Sequence, residues 1–149
     1  MRETITAALK HATKAQDKRR ISTLRLISAA IKDRDIAART AGKGEATDPE
    51  LLELLAKMIK QREESEKIYA DAGRAELAKQ ESEEIAIIRE FLPKQLSGKD
   101  MDKAIADAIA EAGATSVKDM GKVMAQLKAR YAGQMDFAKA SASVKAKLG

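Results

Sequence analysis

The run Glu83–Ser97, EEIAIIREFLPKQLS, divides the chain. Ile85, Ile87, Ile88, Phe91 and Leu92 load the last turns of a helix with apolar side chains. Pro93 then stops it, because proline has no amide to donate and disfavours helix in the residue before it. Leu96 and Ser97 lead into a new helix. The run therefore reads as the end of one helical domain, residues 1–93, and the start of a second, residues 94–149. Phe91 is one of only four aromatic residues in the 149. Its ring, with Leu92, Pro93 and Leu96, is expected to anchor the junction between the halves.

Upstream, apolar residues recur at helical spacing. Within 3–15, Ile5, Ala8, Leu9 and Ala12 share one face, which predicts a short amphipathic helix with His11 on its solvated side. Residues 18–39 place Ile21, Leu24, Ile27 (or Ser28) and Ile31 on the core side of a second helix. Lys18, Arg19, Arg20, Arg25, Lys32, Arg34 and Arg39 occupy much of the rest, facing solvent or pairing with Asp33, Asp35 and the acidic middle of the chain. Thr40–Thr47, TAGKGEAT, reads as a flexible link. Its GKG is no phosphate loop, since Gly44 and not a serine or threonine follows Lys43.

Asp48-Pro49 signals a helix start, with aspartate capping free amides and proline in the first position. Leu51, Leu52, Leu55, Met58 and Ile59 make a wide apolar face, and Glu53–Lys57 and Glu63–Lys67 are spaced to pair one turn apart. Gly73 supplies a left-handed stop after about Ala72, and a return helix from Arg74 to Leu92 completes a long antiparallel hairpin. Its outer surface is expected to be acidic, with Glu63, Glu64, Glu66, Glu76, Glu81, Glu83 and Glu84. These carboxylates read as a solvated face. A di-metal bundle would want an E-x-x-H element on each of two helices, and the chain has a single histidine.

Past Pro93, Ser97 with Asp100 has the form of a capping box, and Met101, Ile105, Ala108 and Ile109 give the buried side of a helix ended by Gly113. Ser116 with Asp119 repeats the start signal, followed by Val117, Met120, Val123, Met124 and Leu127 up to Tyr131-Ala132-Gly133. Asp136 caps a last helix with Phe137, Ala140, Val144 and Leu148 on one stripe. Met120, Met124 and Met135 read as gap-filling core. Gly121, inside a helix, costs about 1 kcal/mol against alanine. Close approach of another helix or of a ligand backbone would account for it.

The fold class is therefore all-α: an N-terminal helical domain with a long antiparallel hairpin, then a small three-helix domain. No cysteine is present, which removes disulfides, a thiolate nucleophile and cysteine-based zinc, and favours a cytoplasmic home. No apolar run approaches the roughly 20 residues of a membrane span, and no leader is expected. No cofactor or metal is expected. Charge is unevenly placed: ten basic and four acidic groups in 1–39, eight and thirteen in 40–93, seven and two in 114–149. Basic ends favour a polyanionic partner. In the last block Lys118, Lys122, Lys128, Arg130, Lys139 and Lys145 have little acid to neutralise them and are the best candidate for a functional surface.

The segments STLRLISAAIKDRDIAAR (22–39), the run from Ile59 to Ser97 ending EFLPKQLS, and MGKVMAQLKARYAGQMD (120–136) together resemble the YqeY family. Its members share a domain with the tail of GatB, one of the subunits of the glutamine-dependent aminoacyl-tRNA amidotransferase. The resemblance covers nearly the whole chain, and EFLPKQLS and DMGKVM…YAG are its most specific parts. It implies a helical hairpin domain followed by a three-helix domain. By that resemblance Met120, Gly121, Lys122 and Tyr131-Ala132-Gly133 fall on the tail motif, which implies tRNA contact by the basic residues around them. The amidotransferase's catalytic domain has no counterpart in this sequence. Three functions follow as expectations: a non-catalytic tRNA-binding or amidotransferase-associated module; a protein-interaction adaptor; and a component of a carbon–nitrogen ligase assembly using glutamine. The expected partners are tRNA and an aminoacyl-tRNA enzyme or amidotransferase subunit.

Overall fold

A computed structural model describes residues 1–149 and is built of helices alone. Two compact units divide the chain, Met1–Leu92 and Pro93–Gly149. The first holds α1 (Arg2–Ala15), α2 (Lys18–Thr40), α3 (Asp48–Asp71) and α4 (Ala75–Arg89). The second holds α5 (Gly98–Ala112), a 3-10 turn (Val117–Asp119), α6 (Met120–Tyr131) and α7 (Phe137–Leu148). No helix is long and apolar enough to cross a membrane.

The first unit buries one face of each helix in a single cluster. Ile5 and Ala12 of α1, Leu24, Ile27 and Ile31 of α2, and Leu51, Leu55, Met58 and Ile59 of α3 meet Ile85 and Ile88 of α4. Full burial of each large aliphatic chain favours folding by about 1.5–3 kcal/mol. Leu52, expected on this face, is only half-buried, whereas Thr23 is fully buried because its hydroxyl donates back to the Arg19 carbonyl at 2.9 Å. The α3–α4 hairpin turns through Gly73 at φ +73°. The Gly73 amide donates to the Ala70 carbonyl and the Arg74 amide to that of Tyr69, which satisfies two helix-end carbonyls. Phe91 and Leu92 pack against this unit's cluster, and Leu96 against that of the second unit.

Several local expectations need correction. Thr47, not Asp48, caps α3: its hydroxyl accepts the Glu50 amide while the Glu50 carboxylate takes the Thr47 amide. That reciprocal box satisfies two amides at once, and it holds the Glu50 carboxyl below its ordinary range, chiefly through the Thr47 bonds. The link before it is tied at its end. Ala46 is buried, its amide donating to Asp35 and its carbonyl accepting from Arg2, which also pairs with Asp35 and Glu45. Helix α4 ends at Arg89, short of Leu92. Val117 is exposed because the chain there makes a 3-10 turn, which rotates it out of the α-helical stripe.

Charge pairing also differs from the local spacing. Neither Glu53–Lys57 nor Glu63–Lys67 closes; Glu63 instead meets Arg89 across the hairpin at 3.0 Å. The arginines of α2 do find the acidic middle: Arg19 meets Glu83, Arg20 meets Glu90, and Arg34 meets Glu50. Glu84 is not part of an outer acidic surface. It is buried inside the hairpin and accepts from Arg62 at 3.1 Å, while Arg62 also donates to the Met58 carbonyl. Beside the pair, burial pushes the Glu81 carboxyl up, and the Glu84 charge adds to the effect.

Removing one partner of a buried pair strands the other's charge. Glu84→Ala is expected to cost about 3 kcal/mol of unfolding free energy in urea melts, and a joint Arg62→Met/Glu84→Leu change should recover most of it.

Candidate nucleic-acid interface

The second unit is organised around its start signals. Ser97 caps α5 by accepting the Asp100 amide at 3.3 Å, and Gly113 closes that helix in the left-handed region. Asp119 receives the amides of Thr115 and Ser116 at 3.0 and 3.4 Å, which fixes the turn leading into α6. Those two bonds hold the Asp119 carboxyl below its ordinary range, with the Lys122 cation a smaller influence. Asp136 caps α7 by accepting the Ala138 amide at 2.9 Å. The core lies between these helices: Ala104, Ile105 and Ala108 of α5, Val123 and Leu127 of α6, Met135, and Ala140 and Val144 of α7.

Residues Pro93–Ser97 are stitched into this unit by the turn after α6. The Leu96 amide donates to the Gln134 carbonyl at 2.8 Å, and the Gln95 side-chain amide donates to the Gly133 carbonyl. Gly133 itself is buried at φ +75°. PKQLS and the Tyr131-Ala132-Gly133 turn, far apart in sequence, are thus hydrogen-bonded to each other.

All six candidate basic residues are exposed: Lys118 in the 3-10 turn, Lys122, Lys128 and Arg130 on α6, Lys139 and Lys145 on α7. Arg130 differs from the rest. It donates to Glu111 at 2.6 Å, and the Gln126 side chain donates to the same carboxylate. The Arg130 bond holds the Glu111 carboxyl below its ordinary range, and Glu111 raises the guanidinium in turn. The five lysines meet no carboxylate within 4.0 Å. Around α6, Lys122 and Lys128 stand about 120° apart and about 9 Å along the axis. Between them run the exposed small residues Gly121, Ala125 and Ala129. A Cβ added at Gly121 meets nothing within 4 Å, so no helix of this chain requires the glycine there.

Helix α7 repeats this face. MGKVMAQLKARY and FAKASASVKAKL align without a gap, with identities at Lys122/Lys139, Ala125/Ala142, Lys128/Lys145 and Ala129/Ala146. Their burial follows the same order at every position, with Val123 and Leu127 matched by Ala140 and Val144. On α7, Lys139 and Lys145 flank Ala138, Ala142 and Ala146, all exposed. Reading each helix for its stripe missed this duplication; comparing the chain with itself would have found it.

A family model described as Yqey-like protein matches residues 2–148. The chain belongs to the YqeY family. No curated protein matches it. Within this YqeY-family chain, the two segments that carry the resemblance most specifically, EFLPKQLS and DMGKVM…YAG, are those joined by the Gln95 and Leu96 hydrogen bonds.

Two outcomes test this geometry. Gln95→Ala removes one neutral hydrogen bond and leaves the Gly133 carbonyl short of a partner, so α6 amide protection in hydrogen exchange should fall by about 1 kcal/mol. Asp119 has its folded-state carboxyl held below the unfolded value. Its contribution is therefore full above the unfolded carboxylate range and lost as pH falls through the folded value. Asp119→Asn should lower the unit's stability at pH 7, and thermal melts should show that deficit closing as both proteins are taken to pH values below the ordinary carboxylate range.

Proposed function

We propose that the chain is a non-catalytic RNA-binding module working beside aminoacyl-tRNA enzymes, with tRNA as its ligand. The observation that carries this reading is the duplicated face of α6 and α7. Each copy sets two unpaired lysines on either side of a row of small residues, so a bulky polyanion can approach the helix and meet both charges. The chemistry of the face favours phosphate contact over base reading. It carries no ring on which a base could stack, and lysine meets phosphate as a point charge without the bidentate geometry that reads a base edge. Recognition of this kind follows backbone shape. The family's domain is also found in the C-terminal region of the amidotransferase's GatB subunit, which is why tRNA is the RNA named here.

Arg130 has a different role in this reading. Its charge is already met by Glu111, so its bond serves to hold α6 against α5. The test is tRNA binding by the purified chain over a salt series. Four lysine–phosphate contacts predict a log–log slope of about −3 to −4. Lys122→Glu/Lys128→Glu and Lys139→Glu/Lys145→Glu should each flatten that slope and weaken binding more than tenfold, whereas Arg130→Gln should leave it within about twofold. Absence of binding at low salt in the unaltered chain would overturn the reading.

A further inference from the structure

The cations of α2 fall into two sets. Arg19, Arg20 and Arg34 each meet a carboxylate of this chain. Lys18, Arg25 and Lys32 meet none within 4.0 Å and are exposed, as is Arg39 in the last turn. At 100° per residue, the first three lie within about 40° of one line along the helix, and so do Ser22, Ala29 and Ile36. Leu26 stands beside that line. Leu26 and Ile36 are 48% and 51% exposed, among the few large aliphatic side chains left in water. Around the first of them a shallow open groove is lined by Lys18, Ile21, Ser22, Arg25 and Leu26. Asp33 is the one acid on this side of the helix.

This surface differs in kind from the faces of α6 and α7. There the residues between lysines are glycine and alanine, which leave room for a phosphate backbone and bury little. Here they include leucine and isoleucine, whose burial is worth nothing against phosphate and much against another aliphatic side chain. Unpaired cations interleaved with large apolar residues complement a helix with aliphatic residues at i, i+3 or i+4, and i+7, and carboxylates along its flanks.

We propose that the solvent face of α2, from Lys18 to Ile36, docks an acidic amphipathic helix of a partner protein. Leu26 and Ile36 lie about 15 Å apart along the axis, so the partner helix needs about three turns to reach both. Arg25 and Lys32, about 10 Å apart, set the spacing of the carboxylates it should present. None of these residues belongs to the lysine faces of the C-terminal unit, so this docking stands or falls independently of RNA binding.

The test uses the full chain and two synthetic helical peptides of about 18 residues with the same leucine stripe, one flanked by glutamate and the other by lysine. Binding is followed by fluorescence anisotropy and mapped by backbone amide NMR shifts. The glutamate peptide should bind, with shifts concentrated in α2 between Lys18 and Ile36, and the lysine peptide should not. Leu26→Ser, at an exposed position that the core does not use, should weaken binding roughly tenfold. Arg25→Glu/Lys32→Glu should reverse the preference toward the lysine peptide while amide shifts elsewhere stay in place. Failure of the glutamate peptide to bind, shifts mapping to another surface, or equal affinity in the charge-reversed variant would overturn the proposal. So would tRNA moving the α2 amides where the glutamate peptide does not, which would assign this face to nucleic acid.

Discussion

The first unit depends on one reversal of chain direction. Helices α3 and α4 each carry an apolar stripe that is stable only against the other, and Gly73 lets the chain turn back within a few residues. Any residue with a Cβ at this φ would cost about 1–2 kcal/mol. Once the hairpin is closed, its interior accommodates Arg62 and Glu84 as a pair, and its open side offers Leu51, Leu55 and Ile88 as a bed for Leu24 and Ile27 of α2. The acids displayed on the closed hairpin then receive Arg19 and Arg20. Burial of the Leu24–Ile27–Ile31 stripe sets both the depth and the rotation of α2, and the ion pairs close at its edges.

That rotation sorts the basic residues of the chain by ownership. A guanidinium with a carboxylate partner in its own unit, such as Arg2, Arg62 or Arg130, is part of the scaffold. A cation with none remains available to something else, and among the faces such cations occupy are those on α2, α6 and α7. What lies between the cations distinguishes those faces: methyl-sized groups on two of them, branched aliphatic chains on the third. Net charge alone does not separate the two situations, which is why the same basic bias at both ends of the sequence corresponds to different chemistry at each.

Much of the helical framework was legible from periodicity, because a stripe such as Val123–Leu127 or Ile85–Ile88 has only one way to face a core. Gly73, Gly113, Ser97 and Asp136 also declared their roles, each being suited to the end it occupies. The failures share a physical cause, competition between neighbours or distant partners that local spacing does not weigh. Thr47 and Asp48 can both cap, and the box with Glu50 decides between them. Glu84 looks like surface because its partner Arg62 is a full hairpin arm away. Arg130 looks unneutralised because Glu111 lies on another helix. Of the candidate interface, the residue types were visible but not their arrangement; the equivalence of α6 and α7 lies in a repeat that stripe-by-stripe reading passes over.

The order of the ion pairs along the chain also bears on how the protein is made. Arg19 and Arg20 leave the ribosome 64 and 70 residues ahead of the carboxylates they will meet. At ordinary elongation rates that is an interval of roughly 3–14 s. During it, α2 is a nascent cationic segment with neither its acids nor its apolar bed, while α3 and α4, joined by a tight turn, can close as soon as both have emerged. The first helices to be synthesised are therefore among the last to be secured. Until then their exposed leucines and arginines are surfaces that chaperones and ribosomal RNA encounter before the finished protein does.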